Sequence, residues 1–112
     1  MTAMMTKNVT GNVRYYRLME METGEFLGRC LVTKLPHRYE FWDFRIFEEF
    51  QGKGYGTLML KEIIKRYTKY GKPLVLYVYK NNDIAIHLYK KLGFEITRSS
   101  HNDKAWEMQY RK

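Results

Sequence analysis

Gln51-Gly52-Lys53-Gly54-Tyr55-Gly56 is the stretch on which the fold turns. Before it, residues 39–47 are strongly aromatic and read as a central strand. After it, Met59, Ile63, Tyr67 and Tyr70 recur at helical spacing, with Leu60 and Ile64 beside them. Lys61, Glu62, Lys65, Arg66 and Lys69 fill the opposite face, so the spacing predicts an amphipathic helix over residues 57–70. A strand, a Gly-rich turn and a helix in that order have a physical meaning. The first N–H groups of a helix lack an intrahelical partner and carry partial positive charge. Alternate glycines let the backbone curl around an anion with no side chain intervening. The product is a phosphate cradle, with the Lys53 charge at its lip. A Walker-type loop is excluded, because no Gly-Lys-Ser/Thr stands at the required spacing. A dinucleotide fingerprint is excluded too: Thr57 stands where its third glycine belongs, and no acid lies between Glu62 and Asp83. An anion cradle and a plain turn into a helix remain.

Outward from the turn, the elements follow closely. Residues 13–19 and 26–35 read as a hairpin around Thr23-Gly24-Glu25, ending before Pro36. Gly71 and Pro73 stop the first helix, and the apolar run 74–79 reads as a buried strand. Asn82 or Asp83 caps a second helix that runs to Leu92 and stops at Gly93. Residues 94–98 and 105–111 read as a closing hairpin, in which Trp106, Met108 and Tyr110 alternate with Glu107, Gln109 and Arg111. The expected order is β-β-β-α-β-α-β-β, a mixed sheet with helices, hence α+β or mixed α/β. Residues 1–112 are expected to form a single domain, with residues 1–12 a flexible or short lead-in.

Composition narrows the function classes. The single cysteine, Cys30, excludes an internal disulfide and reads as buried packing. His37, His87 and His101 are far apart, so no metal site is expected. No apolar run approaches the roughly 20 residues of a membrane helix, and a signal-peptide stretch is not visible, so a cytoplasmic protein off the membrane is expected. Residues 1–50 hold seven Lys/Arg and seven Asp/Glu, while residues 51–112 hold thirteen against five. The whole +8 excess lies from the Gly-rich turn onward, which suits an anionic ligand, an acidic partner or nucleic acid, or a solvated basic face.

Two motifs now carry a resemblance. Gln51 to Gly56 matches Gln/Arg-x-x-Gly-x-Gly/Ala, and residues 82–94 match Asn-x-x-Ala-x-x-Leu-Tyr-x-Lys-x-Gly-Phe. In order, and joined by a helix and a strand, they make the chain resemble the GCN5-related N-acetyltransferase (GNAT) superfamily over roughly residues 13–111. The resemblance implies a mixed, mostly antiparallel sheet with a splayed central strand pair, residues 39–47 and 74–79, and two main helices. It implies an acyl-CoA N-acyltransferase: acetyl-CoA as co-substrate, direct transfer to an amine in a ternary complex, and no metal. Members usually carry a first strand and two helices before the hairpin, which this sequence lacks. A second subunit or a macromolecular substrate is the expected replacement.

Residue roles follow from the same resemblance. Backbone groups of Arg45, Ile46 and Phe47 are expected to pair with the pantetheine arm as an added strand. An N–H of Ile46 or Phe47 is expected to face the thioester oxygen. Gln51, Gly52, Lys53, Gly54, Tyr55, Gly56 and Thr57 would hold the pyrophosphate, and Asn82 would bond the pantetheine or fix the second helix. Tyr89 is the expected acid that protonates the leaving thiolate, against the alternative of a plain core aromatic. The base is Glu40, Asp43 or water; Glu40 shares strand parity with Trp42, Phe44 and Ile46, so it is expected among aromatics. The acceptor amine is open, from a small molecule to an acidic macromolecule. A non-catalytic CoA-binding or nucleic-acid-binding module on the same fold is the alternative.

Overall fold

The apolar periods of the sequence are satisfied by one sheet with both helices laid on one face. The computed structural model describes residues 3–111. Its elements are β1 (Ala3–Thr10), β2 (Val13–Glu20), β3 (Phe26–Lys34), β4 (Tyr39–Ile46), α1 (Tyr55–Tyr67), β5 (Leu74–Tyr79), α2 (Asp83–Lys91), β6 (Phe94–Ser100) and β7 (Ala105–Tyr110). The strands lie in the order β1-β2-β3-β4-β5-β7-β6. Among the described residues only β4 and β5 are parallel neighbours. The expected mixed, mostly antiparallel α+β architecture is present.

The beginning of the chain departs from expectation. Residues 1–12 were expected as a flexible or short lead-in without the family's first strand. Instead Ala3–Thr10 is a full strand, paired with β2 from Ala3↔Glu20 to Thr10↔Val13. Its residues Thr6-Lys7-Asn8 are polar and most of the strand is exposed. An edge strand takes its hydrogen bonds from one neighbour and needs no apolar alternation to form. Gly11 and Asn12 alone join β1 to β2, with Gly11 at φ 58°. The first strand is therefore present, and the two helices usual in the family do not stand between β1 and β2.

α1 begins at Tyr55, two residues before the expected start, and gives way at Thr68–Tyr70 to a 3₁₀ turn closed by Gly71 at φ 76°. Its apolar stripe, Met59, Leu60, Ile63 and Tyr67, is buried against the sheet. On the sheet side the same core takes Tyr16, Leu18, Val32, Tyr39, Phe41, Leu74, Leu76, Val78, Phe94 and Met108, and α2 adds Tyr89. Burying a Leu, Ile or Met side chain of this kind contributes about 1.5–3 kcal/mol.

Two irregularities shape the centre. β3 and β4 pair Arg29↔Arg45 and then Leu31↔Trp42, so β4 holds one extra residue. Asp43 stands in that bulge at φ 53°. The bulge reverses the alternation: Tyr39 and Phe41 before it, and Phe44 and Ile46 after it, all join the helix-side core. Glu40 thus shares a face with Trp42 but not with Phe44 and Ile46, correcting the parity expected for it. The second irregularity is the splay. β4 and β5 pair only through Tyr39↔Leu74, Glu40↔Val75 and Phe41↔Leu76. Beyond Phe41 the two strands part.

Candidate active site

The splay is where the sequence-predicted residues meet. On one side of it lies a groove of about 720 Å³, walled by β4 and α2 and floored by the Gly-rich turn. On the other lies a cavity of about 240 Å³ lined by Phe41, Trp42, Tyr77 and His101 among others. Asp43, Phe44, Tyr79, Asn82 and Tyr89 line both. The strand gap is thus a passage between two compartments.

The turn is built as an open helix end. Gly52 and Gly54 stand at φ 78° and 86°, where a side chain would be strained. Gly54 is the N-cap of α1 and supplies no side-chain cap. The first intrahelical bond runs from Leu58 N–H to the Gly54 carbonyl at 3.1 Å. The N–H groups of Tyr55, Gly56 and Thr57 therefore have no acceptor within the helix. The Gln51 side chain is turned inward: its Nε2 donates to the Ile46 carbonyl at 2.8 Å, tying the turn to the end of β4. Lys53 is exposed beside the turn. An uncapped helix end with two left-handed glycines fits a pyrophosphate by the chemistry of its donors alone.

Along β4 the backbone is less available than expected. The Phe47 N–H donates to the Leu27 carbonyl at 3.0 Å, so it cannot also face a ligand. Antiparallel ladders alternate bonded and non-bonded pairs, so Gly28↔Ile46 is a non-bonded pair and Arg29↔Arg45 a bonded one. Of the three, Ile46 alone turns its N–H away from β3, toward the side that β5 has left. Gly28 makes this approach possible: a Cβ there would stand 2.5 Å from the Arg45 carbonyl oxygen.

Tyr89 is 6% exposed and packs edge-on against Phe41, Phe44 and Phe94. Its hydroxyl makes no hydrogen bond to the described residues, yet none of their buried polar side-chain atoms lacks a partner. The oxygen is therefore not fully enclosed, on a residue that lines both compartments. Burial, and secondarily the nearby Cys30 thiol, push the phenol well above its ordinary value, so it holds its proton at neutral pH. Asn82 caps α2, its Oδ1 accepting from Ala85 N–H at 3.2 Å. Cys30 is buried, and burial first, then the Asp43 charge, push its thiol to about 12, so it is inert packing as expected.

Glu40 faces the side of the sheet away from the helices. Arg38 Nη2 lies 2.5 Å from its Oε2, and the Tyr77 hydroxyl 3.2 Å away. The same hydroxyl lies 3.3 Å from Glu107 Oε1, and Arg38 donates to it at 3.3 Å. Glu40 is thus among charged and hydroxyl groups rather than aromatics, one phenol removed from the smaller cavity. Glu107, expected only as the polar partner in an alternating strand, is 7% exposed and bound by Thr97 Oγ1 at 2.7 Å and Arg98 Nη2 at 3.1 Å. Burial alone would raise its carboxyl; the Thr97 and Arg98 hydrogen bonds, the Arg98 charge and Tyr77 outweigh it and hold it below 4.5. His101 packs edge-on against Tyr77 at 5.0 Å and lines the smaller cavity. Sequence reasoning passed over both Glu107 and His101. Each owes its place to strand pairing, and no local spacing announces it. Among the described residues no His, Cys, Asp and Glu cluster could hold a metal ion, and no helix is long and apolar enough to cross a membrane.

Comparison with known proteins accords with this geometry. The acetyltransferase (GNAT) family model matches residues 6–94. The uncharacterized N-acetyltransferase YdgE of Bacillus subtilis (strain 168) is 35% identical over 64 residues, 55% of this chain and 41% of that protein. A GNAT family acetyltransferase from Elizabethkingia anophelis, solved with acetyl-CoA bound, superposes with a TM-score of 0.83 at 16% identity, over 99% of both chains. The PaiA N-acetyltransferase of Thermoplasma acidophilum, solved in complex with coenzyme A, gives a TM-score of 0.77 at 19% identity, over 90% of this chain and 62% of that one. The chain thus spans about two fifths of the B. subtilis relative and less than two thirds of the T. acidophilum one.

Proposed function

The chain belongs to the acetyltransferase (GNAT) family, and from that premise we propose that it transfers the acetyl group of acetyl-CoA directly to an amine across the β4–β5 splay. The observation that carries this reading is the meeting of two compartments at Tyr89. The Gly-rich groove takes the co-substrate. The N–H groups of Tyr55, Gly56 and Thr57, with the Lys53 charge, hold its pyrophosphate, while Gln51 keeps the turn docked on β4. The Ile46 N–H faces the arm and donates to the thioester oxygen as charge develops there. Bound acetyl-CoA supplies the activated acyl carbon and a thiolate leaving group.

The amine enters from the smaller cavity, whose aromatic walls suit a cation that must shed a proton before attack. Glu40 takes that proton through the Tyr77 hydroxyl, which bridges cavity and carboxylate. The new C–N bond forms as the C–S bond breaks, Tyr89 gives its proton to the departing sulfur, and the second proton shed by the nitrogen restores the phenol. A volume of about 240 Å³ suits a small primary amine or the side chain of a larger one.

Thiol release over a panel of amines, with acetyl-CoA as donor, tests the reading. Tyr89→Phe is expected to lower kcat by roughly 10²–10⁴-fold while acetyl-CoA affinity stays within about twofold. Unchanged turnover in Tyr89→Phe removes the phenol from the chemistry. A wild-type chain that binds acetyl-CoA but releases no thiol, whichever amine is offered, would favour a non-catalytic binding module.

A further inference from the structure

At the opposite end of α1 from the Gly-rich turn, the fold gathers charge of one sign into a hollow. A cavity of about 480 Å³ opens between the carboxyl end of the helix and the ends of β1, β2 and β3. Lys7, Arg14, Lys34, Arg66 and Lys69 line it, and among the described residues no Asp or Glu does. Its floor is aromatic: Tyr16 and Tyr67 are buried with their hydroxyls hydrogen-bonded to each other, and Tyr39 is buried beside them.

The cations are held there and left largely unneutralised. Arg66 lies over the Tyr16 ring at 5.4 Å, and its ion pair with Glu62, at 3.4 Å, is a half-exposed i,i+4 contact of small worth. Lys69 lies over Tyr70 at 5.4 Å. Arg14 reaches only the Gly11 carbonyl, at 3.4 Å. Lys7, Lys34 and Lys69 make no ion pair with the described residues. Like charges brought together around a hollow repel, and an anion in the hollow relieves that repulsion. The partial negative charge at the carboxyl end of α1, about half an elementary charge, is far smaller than the five cations.

We propose that this cavity is a second anion site, separate from the acyl-CoA groove, and that it binds a polyphosphate group. Three features select that ligand. The volume lies within the range of small-molecule pockets, about 300–1,000 Å³. The cations converge on one hollow from β1, β2, β3, α1 and the 3₁₀ turn that follows it rather than running in a line, which matches a compact polyanion and not an extended nucleic-acid backbone. Tyr70, 58% exposed at the rim, offers a ring face on which a nucleobase can stack if the polyphosphate belongs to a nucleotide. The thirteen residues of α1 separate the two sites by about 20 Å, too far for one pyrophosphate to serve both.

Calorimetric titration of the full chain with sodium tripolyphosphate and with ATP, at about 0.15 M salt, tests the site. Saturable binding at one site is expected. It should weaken by about tenfold or more in Lys7→Ala/Lys34→Ala, persist in Lys61→Ala on the outer face of α1, and persist with saturating acetyl-CoA. Equal affinity for the two probes identifies a bare polyphosphate chain; tighter ATP binding that Tyr70→Ala erases identifies a nucleotide. Should the first double variant fail to fold, Lys34→Gln/Lys69→Gln makes the same measurement. The proposal falls if neither probe binds saturably, if Lys61→Ala loses as much as the double variant, or if acetyl-CoA displaces the probe. It also falls if a single-stranded oligonucleotide binds more tightly than either probe and loses as much in the double variant.

Discussion

Glu107 shows at the scale of one residue how far a position can depart from its local pattern. The alternation Trp106, Glu107, Met108 reads as core, surface, core. Yet the surface position is 7% exposed, because Tyr77 stands opposite it on β5 and Thr97 and Arg98 reach it from β6. Its folded carboxyl lies below the ordinary 4.5, so the unfolded chain binds its proton more readily. The stability it contributes is complete above about pH 4.5 and is lost as pH falls through the depressed folded value. Urea unfolding of Glu107→Gln from pH 7 to pH 3 is expected to show a smaller acid-side loss than wild type. A parallel acid limb in the two proteins would mean that Glu107 carries none of it. Tyr89 is the converse case. Its place on the apolar face of a helix was legible from Ala85 and Leu92, but only the tertiary structure shows it lining both compartments at the strand gap.

Among the elements, α1 and α2 were the most legible and β1 the least. A helix bears a 3.6-residue signature and its stops, and Gly71 and Gly93 sit at φ 76° and 111° where the sequence puts the ends. β1 bears no comparable signature, since an exposed edge strand is specified by its neighbour's free hydrogen-bonding groups and not by its own pattern. The bulge at Asp43 was equally hidden: one extra residue in β4 flips every later side chain and moves Glu40 off the face of Phe44 and Ile46. Asn82 permits a test at this scale, having two expected roles. Its Oδ1 caps α2, so Asn82→Ala is expected to cost about 1 kcal/mol in chemical denaturation without ligand, and Asn82→Asp to restore most of it. Full stability in Asn82→Ala would assign the residue to the ligand instead.

For the molecule as a whole, ligand binding and stability are linked. On the proposed reading acetyl-CoA binds only the folded chain, so at a hundred times its Kd it should add about 2.7 kcal/mol, raising Tm by on the order of 10 °C. No shift in Tm at that concentration would mean that the groove does not take acetyl-CoA. The net charge also reads differently once folded. In the sequence the excess of thirteen Lys/Arg over five Asp/Glu lies after residue 50, while Lys7, Arg14 and Lys34 belong to a neutral half. In the fold those three stand around one hollow with Arg66 and Lys69. By itself, the sequence determined the family, the Gly-rich turn and the two helices, because these rest on contacts between near neighbours in the chain, which spacing records. Tertiary structure alone decided what lies around the turn: the edge strand, the face of Glu40, the buried Glu107 and the basic cavity. Those depend on strand register and on groups tens of residues apart, and a single residue inserted in a strand changes them with almost no local trace.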